Sequence, residues 1–424
     1  MRDTDSSKNI AVIGAGVAGI VAAHLLSRKH RVTLIESNSY VGGHTNTIDT
    51  TNESGDPVRV DTGFIVLNDK TDPTFHRFLA ALNVRVRYSD MSFGYECKTT
   101  GLYYSGNNLL TLFAQPKNIF SATYLKFLRD IQRFCQLGQQ LLPQLDPDTT
   151  VREFCREHQL NEFFQRHYLI PMAAAIWSAP DEGIRDFPIK TLLLFFRNHG
   201  LLSLRDRPRW QTVVGGSKSY VESFLKAFNG TVLTNSPAQS VCETEESVIV
   251  RLTNNRELKF DAVIVALHAD LALKLLEKPT SLQERLLLPW RYQRNSTFLH
   301  DDTSFLPRNK LARASWNYRR TESAAQKDAV FVTYDMNRLQ GLKCTRHFLV
   351  TLNPVEPIAE KNIIREFDYA HPVFDSVSVK TQPKLDQLNK EGRIQFCGSY
   401  FCYGFHEDAV ASAAKLGALW GETL

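Results

Sequence analysis

No stretch of eighteen apolar residues occurs in this 424-residue chain, so no membrane-spanning helix is expected. No Cys-x-x-Cys pair is present. The seven cysteines, an odd number, are scattered at 97, 135, 155, 242, 344, 397 and 402, with no Cys/His cluster at zinc-ligand spacing. A disulfide framework and a zinc site are thereby disfavoured, and a reducing compartment fits. No internal repeat or low-complexity tract stands out. Residues 1–9 are polar and lack the apolar core of a secretory signal, which leads to the expectation of a cytoplasmic protein. Neither sign of charge dominates, with 50 basic against 45 acidic residues and a net charge of +5. So mild an excess suits an anionic substrate or a peripheral contact with a lipid surface; scattered solvated Lys and Arg are the plainer reading, and no nucleic-acid partner is expected.

What is present is an ordinary globular composition, 43% hydrophobic and 22% charged, enough for two intimately packed domains. The first fifty residues carry its most specific pattern. A β-rich run, Ile10-Ala-Val-Ile13, meets Gly14-Ala-Gly16-Val-Ala-Gly19, and a helix-like stretch follows to about Arg28. A second apolar strand, Val32-Thr-Leu-Ile35, closes on Glu36, and Gly42, Gly43 and His44 come shortly after. Each part has a task on a dinucleotide. Gly14 permits the tight turn, Gly16 admits the pyrophosphate to the backbone, and Gly19 lets helix and strand pack closely. The helix N-terminus offers free N–H groups and partial positive charge to phosphates. Glu36 stands where a carboxylate would hold ribose hydroxyls, which disfavours a 2′-phosphate. NAD is the competing ligand; the second glycine pair favours the longer FAD.

The same kind of pattern recurs later. Gly215-Gly216-Ser217 opens a helix ending near Phe228, and strand patterns lie at Ser247–Leu252 and Asp261–Ala266. The strand Arg393–Cys397 runs into Gly398 and Ser399, and after Gly404 a small-residue helix extends from about Glu407 to Trp420. The simplest α/β architecture gathers residues 1–75, 205–275 and 385–424 into one discontinuous Rossmann-like FAD-binding domain. Residues 76–204 and 276–384 then form an α+β substrate domain. Residues 117–200 show helical periodicity, and 291–352 read as strands, for example Ala329–Tyr334 and His347–Leu352.

With these segments in place, the chain resembles the flavin-containing amine oxidase superfamily, which includes monoamine oxidases, protoporphyrinogen oxidase and phytoene-type desaturases. More narrowly, it resembles a bacterial subfamily of NAD/FAD-binding oxidoreductases often found near cyclopropane-fatty-acid synthase-like enzymes. The marks are Val41–Thr45, Val60–Asn68, Asn198–Leu202, Trp210 with Gly215–Ser217, Arg291–Asn295 and Tyr403–Ala409. The resemblance places the backbone of Gly63, Phe64 and Ile65 beside the flavin ring and that of Ala238 beside the adenine. It places Gly398, Ser399, His406, Glu407 and Ala409 at the flavin end, where the helix start would stabilise a negatively charged reduced ring. Asp408 is expected to point away from the cofactor. His44 stands where an arginine is usual; a neutral imidazole there could donate one hydrogen bond to a phosphate or ribose oxygen.

Amine oxidases of that superfamily commonly hold a lysine near flavin N5 and frame the amine between two aromatic rings. Here the corresponding strand, Tyr292–Phe298, has no lysine, and Phe405 stands where a tyrosine is usual. The expectation is therefore an FAD-dependent oxidoreductase that takes hydride from an apolar, fatty acyl or lipid substrate and leaves a double bond. An amine oxidase, a flavin-dependent fatty acid isomerase or hydratase, and a non-catalytic scaffold are the alternatives. Catalytic candidates are His199, Asn295, Tyr334 and Phe405. His199 also reads as a residue closing a helix before Gly200, and Tyr334 as a packed core tyrosine. Phe195, Phe196, Ile176, Trp177, Leu192 and Leu193 could line an acyl tunnel or simply pack a core. Cys397 and Cys402 flank the cofactor loop, so covalent flavin attachment is a further alternative. No motif specifies the electron acceptor.

Overall fold

The computed structural model describes residues 6–203, 208–321 and 330–424. Its centre is a five-stranded parallel sheet built from β1 (Asn9–Ile13), β2 (Arg31–Ile35), β3 (Thr231–Leu233), β4 (Ala262–Val265) and β5 (Ile394–Phe396), in the spatial order β3-β2-β1-β4-β5. β1 pairs with β4 from Ile10 opposite Ala262 to Ile13 opposite Val265. Its residues 10–13 and all of β4 are buried, as expected of parallel strands covered on both faces, so they read as unbroken apolar runs. Three stretches far apart in the chain thus contribute to one sheet.

Helix α1 (Val17–Leu26) follows β1 and buries nine of its ten residues. It is apolar on every side because it is sandwiched: the sheet covers one face and α5 (His406–Leu419) lies against another. Gly417 permits that approach, since a Cβ there would sit 2.6 Å from Leu25 Cδ1. The C-terminal helix begins at His406, one residue earlier than its sequence pattern suggests.

A seven-stranded sheet forms the second layer. Across it lie Ile363–Val373, Arg291–His300, Leu349–Leu352, Val332–Asp335, Trp316–Arg320, Phe93–Cys97 and Tyr103–Ser105. All neighbours are antiparallel except Trp316–Arg320 and Phe93–Cys97. The eleven-residue strand Ile363–Val373 and the three short strands between 86 and 105 are absent from the sequence expectation. Ile363–Val373, Val86–Tyr88 and Phe93–Cys97 pair with strands distant in sequence, whereas Tyr103–Ser105 pairs locally with Phe93–Cys97. Helices α3 (Ala122–Leu141) and α4 (Ile189–Asn198), with a π-helical turn at Gln165–Leu169, share one apolar core with this sheet, whereas α2 (Pro73–Ala81) packs on α5 in the core of the parallel sheet. The expected domain boundary at 204/205 and the strand start at Ala329 lie outside the described residues. Among the described residues no helix is long and apolar enough to cross a membrane.

Candidate cofactor and substrate site

The turn after β1 is shaped by backbone contacts. Gly14 has φ +96° and donates its N–H to the Ile35 carbonyl at 2.8 Å; a Cβ there would meet the Ala266 carbonyl oxygen at 2.5 Å. A Cβ on Gly19 would collide with the Gly14 carbonyl oxygen. Gly16 is different: it caps α1, and a Cβ there would meet nothing within 4 Å, because its backbone faces open space. Gly42 donates to the Ala15 carbonyl at 2.8 Å, and Gly43, at φ +59°, places its Cβ direction 3.1 Å from Gly16 Cα. The two glycine segments therefore nest against each other and leave the first N–H groups of α1 facing a cavity.

Glu36 is buried and tied to that turn. Its Oε2 accepts from the Ala15 N–H at 2.8 Å, and its Oε1 accepts from the Asn38 N–H at 2.8 Å and the Ser37 hydroxyl at 3.1 Å. Fixed in this way, it lines the cavity with lone pairs to spare for hydroxyl donors.

The cavity measures about 1870 Å³. That exceeds the roughly 300–1,000 Å³ of a single small-molecule pocket, so it has room for a dinucleotide and a second molecule. Gly14, Gly16, Glu36, Gly42, Gly43, His44, Gly63, Phe64, Ile65, Gly398, Ser399, His406 and Ala409 all line it, as do His199, Tyr334 and Phe405. Four of the expected cofactor-binding and catalytic residues do not, nor do Leu192, Leu193 and Phe196 of the expected tunnel. Gly19 is a packing residue inside the turn. Ala238 begins an antiparallel strand opposite Leu252, away from the cavity wall. The Glu407 carboxylate faces α2, accepting from the N–H groups of Thr74 at 3.0 Å and Phe75 at 2.7 Å. Asn295 lies one layer behind the wall. Asp408 points back onto its own helix start, accepting from the Phe405 N–H at 2.8 Å. Cys397 and Cys402 are also off the wall, and burial pushes both thiols up to about 12, which argues against a thiolate linkage to flavin.

Four histidines, His44, His268, His371 and His406, face this space, and burial holds them neutral: His44 and His268 fall to about 4, His371 and His406 to about 3. His44 stacks on Tyr369 with centroids 5.1 Å apart. Its ring proton is drawn by the Ala370 carbonyl, and its buried Nε2 has no hydrogen-bond partner. With the ring proton so drawn, that nitrogen is an acceptor and suits a sugar or ribityl hydroxyl. His406 stacks flat on Phe64 at 3.7 Å, with its Nε2 3.0 Å from the Tyr220 hydroxyl.

His199 closes α4, followed by Gly200 at φ +68°. Its Nδ1 lies 3.0 Å from the Phe195 carbonyl, which only accepts, so Nδ1 carries the proton; Nε2 lies 3.2 Å from the Thr71 hydroxyl. Both ring nitrogens are thus engaged, and burial lowers the imidazole to about 4. The ring stacks on Phe195, 3.8 Å away, which itself stacks on Phe405 at 4.8 Å. As placed, His199 is a wall residue and not a free base. Tyr334 packs edge-on against Trp316 at 5.1 Å and presents to the cavity.

The sequence reading missed His268, Tyr369 and His371. Tyr369 holds the floor by bonding Asn46 Nδ2 and Thr62 Oγ1, each at 2.9 Å. All three lie near Arg291–Asn295, a stretch that was visible in sequence, but the strand carrying Tyr369 and His371 had no motif of its own. FAD fits what is present: an open backbone cradle at Gly16, an anchored carboxylate at Glu36 and an orphaned acceptor at His44.

The family profile of flavin-containing amine oxidoreductases matches residues 17–348. The L-amino-acid oxidase of Mus musculus is 23% identical over 321 residues, covering 67% of this chain and 45% of that protein; that of Siganus canaliculatus is 24% identical over 281, covering 63% and 50%. The chain spans about half the length of these curated relatives. Among solved structures, putrescine oxidase bound to putrescine superposes with TM-score 0.69 at 16% identity over 97% of this chain and 98% of that one. A CLA-producing fatty acid isomerase from P. acnes gives 0.68 at 14% over 99% of each. These superpositions establish the amine oxidase type of FAD-enzyme fold. The chain belongs to the flavin-containing amine oxidoreductase family, and its cofactor is FAD.

Proposed function

We propose that this FAD-dependent oxidoreductase oxidises an apolar, fatty acyl or other lipid substrate, removing hydrogen from adjacent saturated carbons to leave a carbon–carbon double bond. One observation carries the reading. The cavity wall includes Leu128, Ile131, Met172, Ile176, Leu201 and Leu202, whereas its only described cation is Arg209, exposed at the surface, and no described lysine reaches it. A buried amino-acid carboxylate would need a charged partner there. A hydrocarbon chain gains about 0.8 kcal/mol per methylene buried against such a wall.

Bound FAD supplies the hydride acceptor. The protein supplies orientation and electrostatics. The N-terminus of α5, at His406, directs N–H groups and partial positive charge toward the space beside Phe64, where developing negative charge would be stabilised. The wall imidazoles are neutral and contribute hydrogen bonds rather than charge. Two C–H bonds break at neighbouring carbons, one as hydride and one as a proton released to water.

The test is anaerobic mixing of the yellow holoenzyme with saturated fatty acyl substrates and, separately, with a panel of amines. Bleaching of the flavin by the lipid, with product mass lower by two hydrogens, is expected. Bleaching by amines alone would replace this reading with amine oxidation. Unchanged or water-shifted product mass without bleaching would replace it with isomerisation or hydration.

A further inference from the structure

Of the fourteen large hydrophobic side chains exposed among the described residues, five fall within seventeen consecutive positions: Leu109, Leu110, Ile119, Phe120 and Leu125. Phe120 is 90% exposed, Leu109 75% and Leu110 67%. They occupy a short helix, Leu109–Leu112, a 3-10 turn, Pro116–Phe120, and the start of α3. These elements are fastened together. The Tyr124 hydroxyl donates to the Leu112 carbonyl at 2.6 Å, its ring meets Phe113 at 5.7 Å, and Gln115 bonds the Gly101 carbonyl at 2.9 Å. The exposure is therefore held by structure. A separate turn, Lys310–Ala312, packs against the short helix and adds exposed Leu311.

Charge follows the same surface. Lys117, Lys126, Arg129 and Arg133 are exposed beside these side chains, as are Arg308 and Lys310 on the adjoining turn. Between Lys98 and Leu145 the sole acidic residue is Asp130, which is buried. The patch is also continuous with the cavity: Leu109 and Leu112 line it, together with Gly106, Asn107 and Tyr88, which is 74% exposed.

We propose that this face docks on an anionic lipid bilayer, seating Phe120 and the leucines among the acyl chains and the six cations against the headgroups, with the cavity mouth opening onto the membrane surface. An apolar patch rimmed by one sign of charge is the surface that interfacial attachment requires, and both terms contribute to its strength. The proposal rests on the lipid-substrate reading only for what enters the mouth; the attachment itself follows from the surface.

The experiment is co-sedimentation of the flavin-loaded protein with phosphatidylglycerol/phosphatidylcholine vesicles and with phosphatidylcholine alone. Binding is expected to the anionic vesicles and to fall as salt rises. The pair Leu110→Asp and Phe120→Asp should weaken it by about tenfold or more, and Lys117→Glu with Lys126→Glu should abolish the preference for anionic lipid. Leu225→Asp, at an exposed leucine elsewhere, should leave binding unchanged. Retained flavin and an unaltered melting temperature show that the variants fold. No vesicle binding by the unaltered protein, or binding indifferent to Phe120, overturns the proposal. So does sedimentation of the free protein as a dimer that Phe120→Asp dissociates. Flavin bleaching by a detergent-dispersed lipid reads the chemistry separately, so either idea can fail alone.

Discussion

Asn295 donates from Nδ2 to the Nδ1 of His371 at 3.1 Å. The amide cannot turn around, because its Oδ1 accepts from Asn353 Nδ2 at 2.8 Å. His371 Nδ1 is therefore an acceptor, and the single proton of the neutral ring sits on Nε2 of a side chain lining the cavity. Asn295, which the sequence suggests as catalytic, thus acts as a positioning residue for one that the sequence did not suggest. Replacing Asn295 by Asp reverses the polarity of this bond: the carboxylate accepts from Nδ1–H and raises the imidazole. Nitrogen-15 shifts of His371 should show the exchanged tautomer and a titration moved upward from about 3. Unchanged shifts would refute the assignment.

Gly16 and Gly19 should respond oppositely to a side chain. Gly19→Ala meets the Gly14 carbonyl and is expected to cost about 1–3 kcal/mol of stability. The Cβ of Gly16→Ala meets no protein atom within 4 Å, so the melting temperature of the flavin-free protein should hold while flavin uptake falls. Calorimetry and the flavin-to-protein absorbance ratio separate the two outcomes.

Acid should destabilise the fold through its cavity histidines. Their pKa values are lowered from 6.5 to about 3–4, so the unfolded chain binds more protons in that window. The stability they contribute is complete above pH 6.5 and is lost as pH falls toward 4, at about 1.4 kcal/mol per pH unit for each imidazole. His406→Gln should flatten denaturant-measured stability over that range by about one such increment.

Asp408 has the opposite sign. Burial raises it to about 7, with Glu407 adding to the shift, so the native state binds more protons than the unfolded chain between about 4 and 7. Its contribution is intact below pH 4 and disappears as pH rises through 7. Asp408→Asn keeps an acceptor for the Phe405 N–H, and its melting temperature should exceed the parent's at pH 8 and converge with it near pH 4. A constant offset across pH would contradict the shift.

The turn at Gly14–Gly19 and the acid at Glu36 were legible because backbone geometry permits few residues there and their spacing is local. His199 was legible as a helix end because Gly200 takes a left-handed conformation. Tyr369 and His371 were not legible. They sit on Ile363–Val373, where burial alternates only weakly, and they reach the cavity through pairing with Arg291–His300 across the antiparallel sheet. Glu407 shows the converse: the helix that carries it was visible, but the side chain serves α2, a partner no local pattern names.

The parallel sheet closes with β5, paired to β4, and α5 then lies along α1. A ribosome has delivered the glycine turn, Glu36 and β4 long before it reaches Ile394. Until residues 394–419 emerge, β4 is an unprotected edge and α1 shows a bare apolar flank, an invitation to chaperones or to aggregation. Cofactor loading is accordingly a late event in biosynthesis, and riboflavin starvation should reveal itself as protein lost after translation rather than as slower synthesis.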